Sequence, residues 1–434
     1  MLRRILAVAA LCLVPVLPAA AVTIEPVTSP GGVTAWLVED HTNPIIALHL
    51  SVRGGAALDP ADKTGLTEMV ASLLDEGAGD LDSQAFHKTL ETLSISFGYR
   101  ASEDGLSGHL KTITANRDKA FDLLRQSLTA PRFDTDAVER IRSQILADLT
   151  QELQNPNVIA ERAFAKALYP DHPYGRPVEG TEETIKAITV ADLKDWVARH
   201  LGRDRLAISV VGDISPEQLA PLLDRTFGGL PAATEPVAVA DVAPVADGKT
   251  TVIQRKIPQS VVLFGAPGLS RRDPDWYAAY VMNHILGGGS FSSRLMTEVR
   301  VKRGLAYGVY TYLVPHDHSA LLEGSVATRN ERVSDSIALI KAEWRRLAEG
   351  GVTPAELSEA KTYLNGSFPL QLDGTESIAG LMDVLQTERL GIDYLDRRKG
   401  LIDAVTREDI ARVARRLLDP DHLTFVVLGD PKGL

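Results

Sequence analysis

Helical histidine pairs could hold a catalytic zinc ion, because side chains at positions i and i+4 lie on one face of a helix. None of the ten histidines has a second histidine four residues away, and neither H-x-x-E-H nor H-E-x-x-H occurs. His316 and His318 would share one side of a strand if that stretch were β, but we expect a polar loop after Pro315. These residues do not make a zinc hydrolase site.

Nucleophile and phosphate-binding motifs are also missing. The G-x-S-x-G pattern of a serine nucleophile elbow is absent, and Ser107 in GLSGH lacks its glycine spacing. The run Gly287-Gly288-Gly289 lacks the Lys-Ser/Thr pair of a Walker motif. We interpret these glycines as letting the backbone turn tightly beside a cavity.

The amino terminus has the layout of a secretory signal. Two arginines precede an apolar run over residues 5–17, and three alanines at 19–21 form a small-residue cleavage site. A membrane anchor is the alternative, but the run is shorter than the roughly 20 residues that a spanning helix needs. We therefore predict a cleaved signal peptide (1–21) and an exported, periplasmic protein. Cys12 lies within the signal and is the chain's single cysteine, so the mature protein has no disulfide.

Composition indicates a globular protein with an acidic surface. The 434 residues are 44% hydrophobic, and 57 acidic against 46 basic residues give a net charge of -11. No Lys/Arg tract occurs, which argues against nucleic acid as a partner. No later segment is long and apolar enough for stable membrane insertion.

An internal repeat indicates the architecture that must position any site. Thr189–Asp213 and Thr406–Asp430 align without a gap at an offset of 217 residues, and 9 of their 25 positions are identical. Each copy reads as a Thr cap, an amphipathic helix, a turn and a β-rich run that ends in Gly-Asp. We infer two homologous halves.

Between the copies, residues 230–248 are rich in Pro and Ala and have no helical or strand period, as expected of an extended linker. We predict an amino-terminal domain at 22–229 and a carboxy-terminal domain at 249–434. Each half reads as α+β. The predicted strands and long helices are Val33–Val38, Ile45–Val52, Thr251–Arg255, Ser260–Phe264, Asp136–Leu153 and Ser334–Glu349.

Several segments resemble the pitrilysin (insulinase) metallopeptidases over nearly the whole mature chain. They are Leu50–Ala57 (LSVRGGAA), Gly65–Gly77 (GLTEMVASLLDEG), Tyr169–Gly180 (YPDHPYGRPVEG), Ile285–Leu295 (ILGGGSFSSRL) and Glu298–Tyr310 (EVRVKRGLAYGVY). The resemblance implies an α+β fold of two homologous α/β-sandwich halves, each with an antiparallel-rich sheet and helices, facing across a cavity.

The family carries H-x-x-E-H on a helix, where two histidines bind zinc and the glutamate takes a proton from bound water. Aligned through Gly65 and Gly77, this chain has Glu68, Ala71 and Ser72 at those positions. The family's third ligand, a later Glu, falls near Ala147 and Asp148. The resemblance therefore implies that this chain binds no zinc of its own.

Family members also use an Arg and a Tyr seven residues apart, which reach the substrate across the cavity. Arg300 and Tyr307 occupy those positions, and Lys302 and Arg303 are nearby competitors for the role. A guanidinium can bind carbonyl oxygens and a phenol can donate to an oxyanion. From the residues alone, we would favour a different interpretation, in which Arg300 is a solvated helix residue and Tyr307 a strand aromatic.

The resemblance implies a non-catalytic subunit that pairs with a zinc-bearing homologue and binds a peptide substrate, with the zinc in the partner. A peptide-binding or assembly scaffold with no peptidase role is the alternative. An active peptidase with an unrecognised metal site is a third reading.

Overall fold

A computed structural model describes residues 22–234 and 238–434. The predicted signal peptide lies outside the described residues. The strands are β1 Glu25–Thr28, β2 Thr34–Glu39, β3 Ile45–Arg53, β4 Gly77–Ala78, β5 Leu81–Asp82, β6 Ser96–Ala101, β7 Gly105–Ile113, β8 Leu206–Gly212, β9 Thr250–Gln254, β10 Gln259–Pro267, β11 Ala306–Pro315, β12 Ala320–Arg329 and β13 Thr424–Gly429.

The α-helices are α1 Leu66–Ala71, α2 Ser83–Thr92, α3 Arg117–Thr129, α4 Thr135–Glu152, α5 Pro156–Leu168, α6 Glu182–Ala187, α7 Val190–His200, α8 Pro216–Phe227, α9 Trp276–Asn283, α10 Val333–Gly350, α11 Pro354–Gly366, α12 Thr375–Thr387, α13 Tyr394–Asp403 and α14 Arg407–Leu417. Two π-helical turns span His284–Gly288 and Met296–Val301. Short 3-10 turns, among them Phe368–Leu372, join these elements.

Two sheets of matching topology organise the chain. The first has the strand order β1-β2-β8-β3-β7-β6, and the second, read from its β9 edge, has the order β9-β13-β10-β12-β11. In both sheets one pair, β2 with β8 or β9 with β13, is parallel, and the other neighbours are antiparallel. The predicted α+β fold of two homologous halves is confirmed.

The repeated sequence occupies equivalent places in the two halves. Helices α7 and α14 each begin with a capping box, in which Thr189 and Asp192, or Thr406 and Asp409, bond to each other's backbone N–H. The strands that follow end at Gly212 (φ 136°) and Gly429 (φ 158°). A side chain at either glycine would collide with the neighbouring strand, since a Cβ there would lie 2.1 Å from the nearest atom.

Each half covers the other half's sheet with one helix. Helix α5 packs on β10 and β13, and α12 packs on β3 and β8. The α12 contact combines an apolar cluster, which includes Ala47 and Met382, with two hydrogen bonds. Ser51 Oγ donates to Asp383 Oδ2 (2.7 Å), and Gln386 Nε2 donates to Ser209 Oγ (2.7 Å). Because the exchange is reciprocal, the two halves fold against each other as one body.

The segment between the halves contains no helix or strand at 231–234 or 238–249. Its backbone bonds to both halves, with Val242 N donating to His318 O and Val245 N donating to Leu168 O, each at 2.9 Å. The domain limits themselves stay predictions. Within the described ranges, no helix combines the length and apolarity needed to traverse a bilayer.

Candidate functional site

Helix α1 carries Glu68 and Ala71, two of the three positions that the resemblance assigns to the zinc motif, and Ser72 directly follows it. A buried carboxylate fixes where this helix starts. Asp59 accepts hydrogen bonds from Gly65 N (3.0 Å), Thr67 N (3.2 Å) and Thr67 Oγ1 (2.6 Å). Burial raises the pKa of Asp59 from 3.8 to about 6, against the effect of these bonds. Trp196 Nε1 also donates to Thr67 Oγ1 (3.0 Å), which ties α1 to α7.

The three motif residues do not form a ligand set for zinc. Ala71 is buried and has no donor atom, and Ser72 Oγ donates to Glu68 Oε1 at 3.3 Å. Burial raises the pKa of Glu68, and the charge of Glu179 raises it further. Nowhere in 22–234 or 238–434 do three His, Cys, Asp or Glu side chains lie close enough to hold a metal ion. These residues do not fit zinc.

The region of the family's third ligand contains an arginine among carboxylates. Arg162 Nη2, on α5, lies 3.0 Å from Glu152 Oε2 and 3.7 Å from Glu179 Oε2. Burial raises the pKa of Glu152, and Glu179 and Asp148 add to the increase. A guanidinium beside these carboxylates opposes a bound cation, because like charges repel.

Strand β6 runs along the edge of the first sheet beside α1. It pairs with β7 on one side, and no strand of the described chain pairs with its other side. Helix α1 contacts β6, and the backbone of Ala101 lies near enough to Glu68 to affect its pKa. An unpaired strand edge is a surface to which an extended peptide can add.

The glycine-rich segment of the second half precedes the Arg and Tyr pair. Gly287 and Gly288 lie in a π-helical turn, with Gly289 directly after it. Our interpretation of a tight turn was wrong, because close packing accounts for these glycines instead. A Cβ at Gly287 would lie 2.4 Å from Thr311 Oγ1, and a Cβ at Gly289 would lie 2.6 Å from His284 O.

Arg300 is sandwiched between two aromatic rings. It lies in the second π-helical turn, and its guanidinium carbon is 4.4 Å from the ring centroid of Phe291 and 4.4 Å from that of Tyr307. Tyr307, on β11, is 82% exposed and Phe291 is 61% exposed. Stacking covers the faces of the guanidinium but leaves its in-plane N–H donors free to bind a ligand.

The neighbouring cations are bound elsewhere. Lys302 Nζ lies 2.6 Å from Glu298 Oε1, and Arg303 Nη1 lies 2.5 Å from Glu298 Oε2. Hydrogen bonds from both cations lower the pKa of Glu298, which is buried. Arg300 has no ion pair with any described residue. Of the three candidates, only Arg300 therefore presents a free charge beside Tyr307.

The sequence-predicted residues thus form two groups. Arg300 and Tyr307 are in contact, and Glu68 and Ser72 are in contact around Ala71, but no hydrogen bond or ion pair joins the groups among the described residues. Sequence reasoning missed Phe291, the second ring against Arg300. No pattern in the sequence marks Phe291, because its contact with Arg300 is evident only in the structure.

Residues 316–318 form a loop, as predicted, and this loop lies at the junction between the halves. Tyr174 Oη donates to Asp104 Oδ1 (2.5 Å), His316 Nδ1 lies 3.5 Å from Asp104 Oδ2, and His318 binds Asp241 (3.0 Å). Burial opposes ionisation of Asp104, but the bonds from His316 and Tyr174 outweigh it and lower its pKa. Each histidine has its own carboxylate, so they do not form a shared metal site.

Two family models match the chain. Residues 34–182 match the model described as "Insulinase (Peptidase family M16)", and residues 187–364 match "Peptidase M16 inactive domain".

Relatives match nearly the full length. A protein of Helicobacter pylori named "Non-peptidase homolog YmxG" is 31% identical over 406 residues, which is 91% of each chain. The yeast (Saccharomyces cerevisiae) mitochondrial-processing peptidase subunit beta is 23% identical over 87% of this chain and 85% of its own. Other relatives carry the name "uncharacterized zinc protease".

A solved structure shares the fold closely. The crystal structure titled as a peptidase M16 inactive domain from Pseudomonas fluorescens superposes with a TM-score of 0.88 and 28% identity, covering 94% of this chain and 98% of that one.

Proposed function

Because the chain belongs to the M16 (insulinase) peptidase family, we propose that it is the non-catalytic, substrate-binding subunit of an exported, heterodimeric zinc peptidase. Its partner is a homologue that carries H-x-x-E-H. One observation carries the proposal: the half-buried Arg300 contacts the exposed Tyr307 and has no ion pair with a described residue, in a chain whose zinc-motif positions hold no ligand set.

The two residues suit the binding of a peptide bond under attack. The in-plane donors of Arg300 bind a peptide carbonyl oxygen before and during reaction, through charge-assisted hydrogen bonds. The phenol of Tyr307 donates to the same oxygen as negative charge develops on it. In such a heterodimer, zinc held by the partner would supply the activated water. This chain's part is to orient the peptide and stabilise the charge.

The edge of β6 gives the peptide a second means of attachment. An extended peptide can add to an unpaired strand edge through main-chain hydrogen bonds, which do not depend on its sequence. Helix α1 lies beside that edge, with Glu68 in place of the first histidine. A peptide bound to β6 would lie beside helix α1, which carries no catalytic group.

Pairing with a second chain accounts for a surviving half-site. An oxyanion donor contributes only if an attacking nucleophile is brought to the same carbonyl. The chain lacks the histidines to position that nucleophile, and the yeast relative is named as one subunit of a peptidase. A scaffold without peptidase function would have no chemical need for an arginine without an ion pair in contact with an exposed tyrosine.

Co-expression with an H-x-x-E-H-bearing homologue tests the assignment. We expect one heterodimer in size-exclusion chromatography and chelator-sensitive cleavage of an unfolded peptide that neither chain achieves alone. The double variant Arg300→Ala/Tyr307→Phe should assemble without restoring cleavage, whereas the neighbouring Lys302→Ala should behave as wild type. If the chains elute separately and mixing leaves activity unchanged, the scaffold function is favoured instead.

A further inference from the structure

A small cavity in the second half is walled by aromatic rings and lies apart from the Arg300 site. It measures about 250 Å³ and opens between α9, α12, α13 and the 3-10 turn Phe368–Leu372. Its aromatic lining residues are Trp276, Tyr277, Tyr280, Phe368 and Tyr394. Ligand sites are typically concave, mostly apolar and furnished with a few polar groups. This cavity has that composition, at a volume just below the usual range of roughly 300–1,000 Å³.

Its charged groups are two arginines, and no carboxylate lines it. Arg271 and Arg398 are in the lining, together with Gln371 and the tyrosine hydroxyls. The excess of cations contrasts with the whole chain, whose net charge is -11. Arg271 also faces the charge of Glu388 electrostatically, but no ion pair within 4.0 Å joins it to any described carboxylate. An anion in the cavity would therefore meet two cations and no carboxylate in the lining itself, with Glu388 as a more distant negative charge.

Arg271 is enclosed by rings and holds an unused donor. Its guanidinium carbon lies 4.5 Å from the ring centroid of Trp276, 5.5 Å from that of Tyr277 and 5.8 Å from that of Tyr394. Nη2 donates to Tyr394 Oη (3.1 Å), whereas Nη1 is closed to solvent and has no partner among the described residues. A buried donor without an acceptor costs about 1–3 kcal/mol, so a ligand acceptor is favoured at this point.

Arg398, on α13, is the second cation in the lining. It is buried, its Nη1 donates to Leu364 O (3.1 Å), and its guanidinium carbon lies 4.0 Å from the ring centroid of Phe368. Both guanidinium groups are thus held by stacking, which orients their in-plane donors. Because Arg271 Nη1 is closed to solvent, a ligand in the cavity reaches it only after the side chain rotates, and side-chain rotation is a common adjustment on binding.

We propose that this cavity binds a small carboxylate that carries one aromatic or similarly compact apolar group. The carboxylate pairs with Arg271 and Arg398, and the apolar group fills the space between the rings. The volume, roughly that of eight water molecules, limits the ligand to a single ring or its aliphatic equivalent. The proposal is independent of the peptidase role, since none of these residues belongs to the Arg300 site.

Isothermal titration of the mature chain with phenylacetate tests the proposal, with phenylacetamide as the uncharged analogue of equal size. We expect saturable binding of one phenylacetate per chain, and binding of phenylacetamide at least about tenfold weaker, as the loss of a charge-assisted pair implies. Equal binding of the two compounds, or no saturable binding of phenylacetate, would overturn the proposal.

Three variants locate the site. Arg271→Gln should weaken phenylacetate binding at least about tenfold. The adjacent, exposed Arg272→Gln does not change this lining and should bind as wild type. Val384→Trp adds bulk at an exposed position of the cavity rim and should block binding with no change of charge. If Arg271→Gln fails to fold, Val384→Trp decides: unimpaired binding by a folded Val384→Trp places the ligand elsewhere.

Discussion

The guanidinium carbon of Arg300 lies 4.4 Å from the ring centroid of Tyr307, although the two residues belong to a π-helical turn and a strand. The contact places a cation beside an exposed phenol. Because Tyr307→Phe keeps the ring against the guanidinium, the hydroxyl can be removed by mutation without removing the contact.

In the assembled heterodimer, we expect Tyr307→Phe to lower kcat by roughly 10²-fold with little change in KM, because the phenol acts most strongly when the carbonyl oxygen gains charge. Arg300→Ala should lower kcat and raise KM, since its bonds to substrate exist before and during reaction. Steady-state kinetics with Lys302→Ala as the control separates these effects. If both variants assemble correctly and keep the wild-type kcat and KM, Arg300 and Tyr307 do not contact the substrate.

Phe291 should act through Arg300. Phe291→Ala removes one of the two rings against the guanidinium, and an exposed cation–π contact contributes about 0.5–1 kcal/mol. We therefore expect a two- to fivefold rise in KM in the heterodimer, and near wild-type behaviour for Phe291→Tyr, which keeps a ring. The side chain is 61% exposed, so the melting temperature should not change. A loss in Phe291→Ala that Phe291→Tyr shares equally would contradict a stacking role.

Asp383 should make the contact between α12 and the first sheet sensitive to pH. Burial raises the pKa of this carboxyl from 3.8 to about 6, and its Oδ1 has no partner among the described residues. The folded state then holds the proton more tightly than the unfolded state, so the free energy of unfolding falls as pH rises from about 4 through 6.

Asp383→Asn should flatten that fall, by at most about 3 kcal/mol. Urea unfolding of both proteins between pH 4 and 8 measures the difference. The exposed Asp373→Asn, at the start of the same helix, is the control and should follow the wild-type curve. Identical pH dependence in Asp383→Asn and wild type would show that Asp383 titrates normally.

Gly212 should tolerate no side chain. Its φ is 136°, and a Cβ there would lie 2.1 Å from Ile45 O, so Gly212→Ala should destabilise the fold by about 1–3 kcal/mol. Gly400→Ala is the matched control, because it lies in α13 with no atom within 4 Å of an added Cβ. That change should stabilise by up to about 1 kcal/mol. If urea unfolding shows that both variants lose the same free energy of unfolding, the close approach of Gly212 to Ile45 does not explain the loss.

Much of the fold could be predicted from the sequence, because each copy of the repeat consists of local patterns: a helix cap, an amphipathic helix and a strand that ends in glycine. The helix and strand after Thr189 recur after Thr406 with the same cap and terminal glycine, and the predicted strand at residues 45–52 is β3 (Ile45–Arg53). The packing of α5 on the second sheet and of α12 on the first could not be predicted. Amphipathic periodicity shows which face of a helix is buried but not which sheet buries it.

The site was partly predictable for a similar reason. Motif resemblance located Arg300 and Tyr307, but the ambiguity with Lys302 and Arg303 needed the contacts of Glu298. The π-helical turns have no periodic signature in sequence, so the glycines at 287–289 were misread as a tight turn. Phe291 was missed because a solitary exposed aromatic has no pattern until its neighbour in space is known.

The most direct test of the central claim is the zinc content of the purified mature chain, measured by elemental analysis beside its activity on an unfolded peptide. With Glu68, Ala71 and Ser72 at the motif positions, we predict no stoichiometric zinc and no cleavage by this chain alone. About one zinc per chain, together with chelator-sensitive cleavage, would contradict the account.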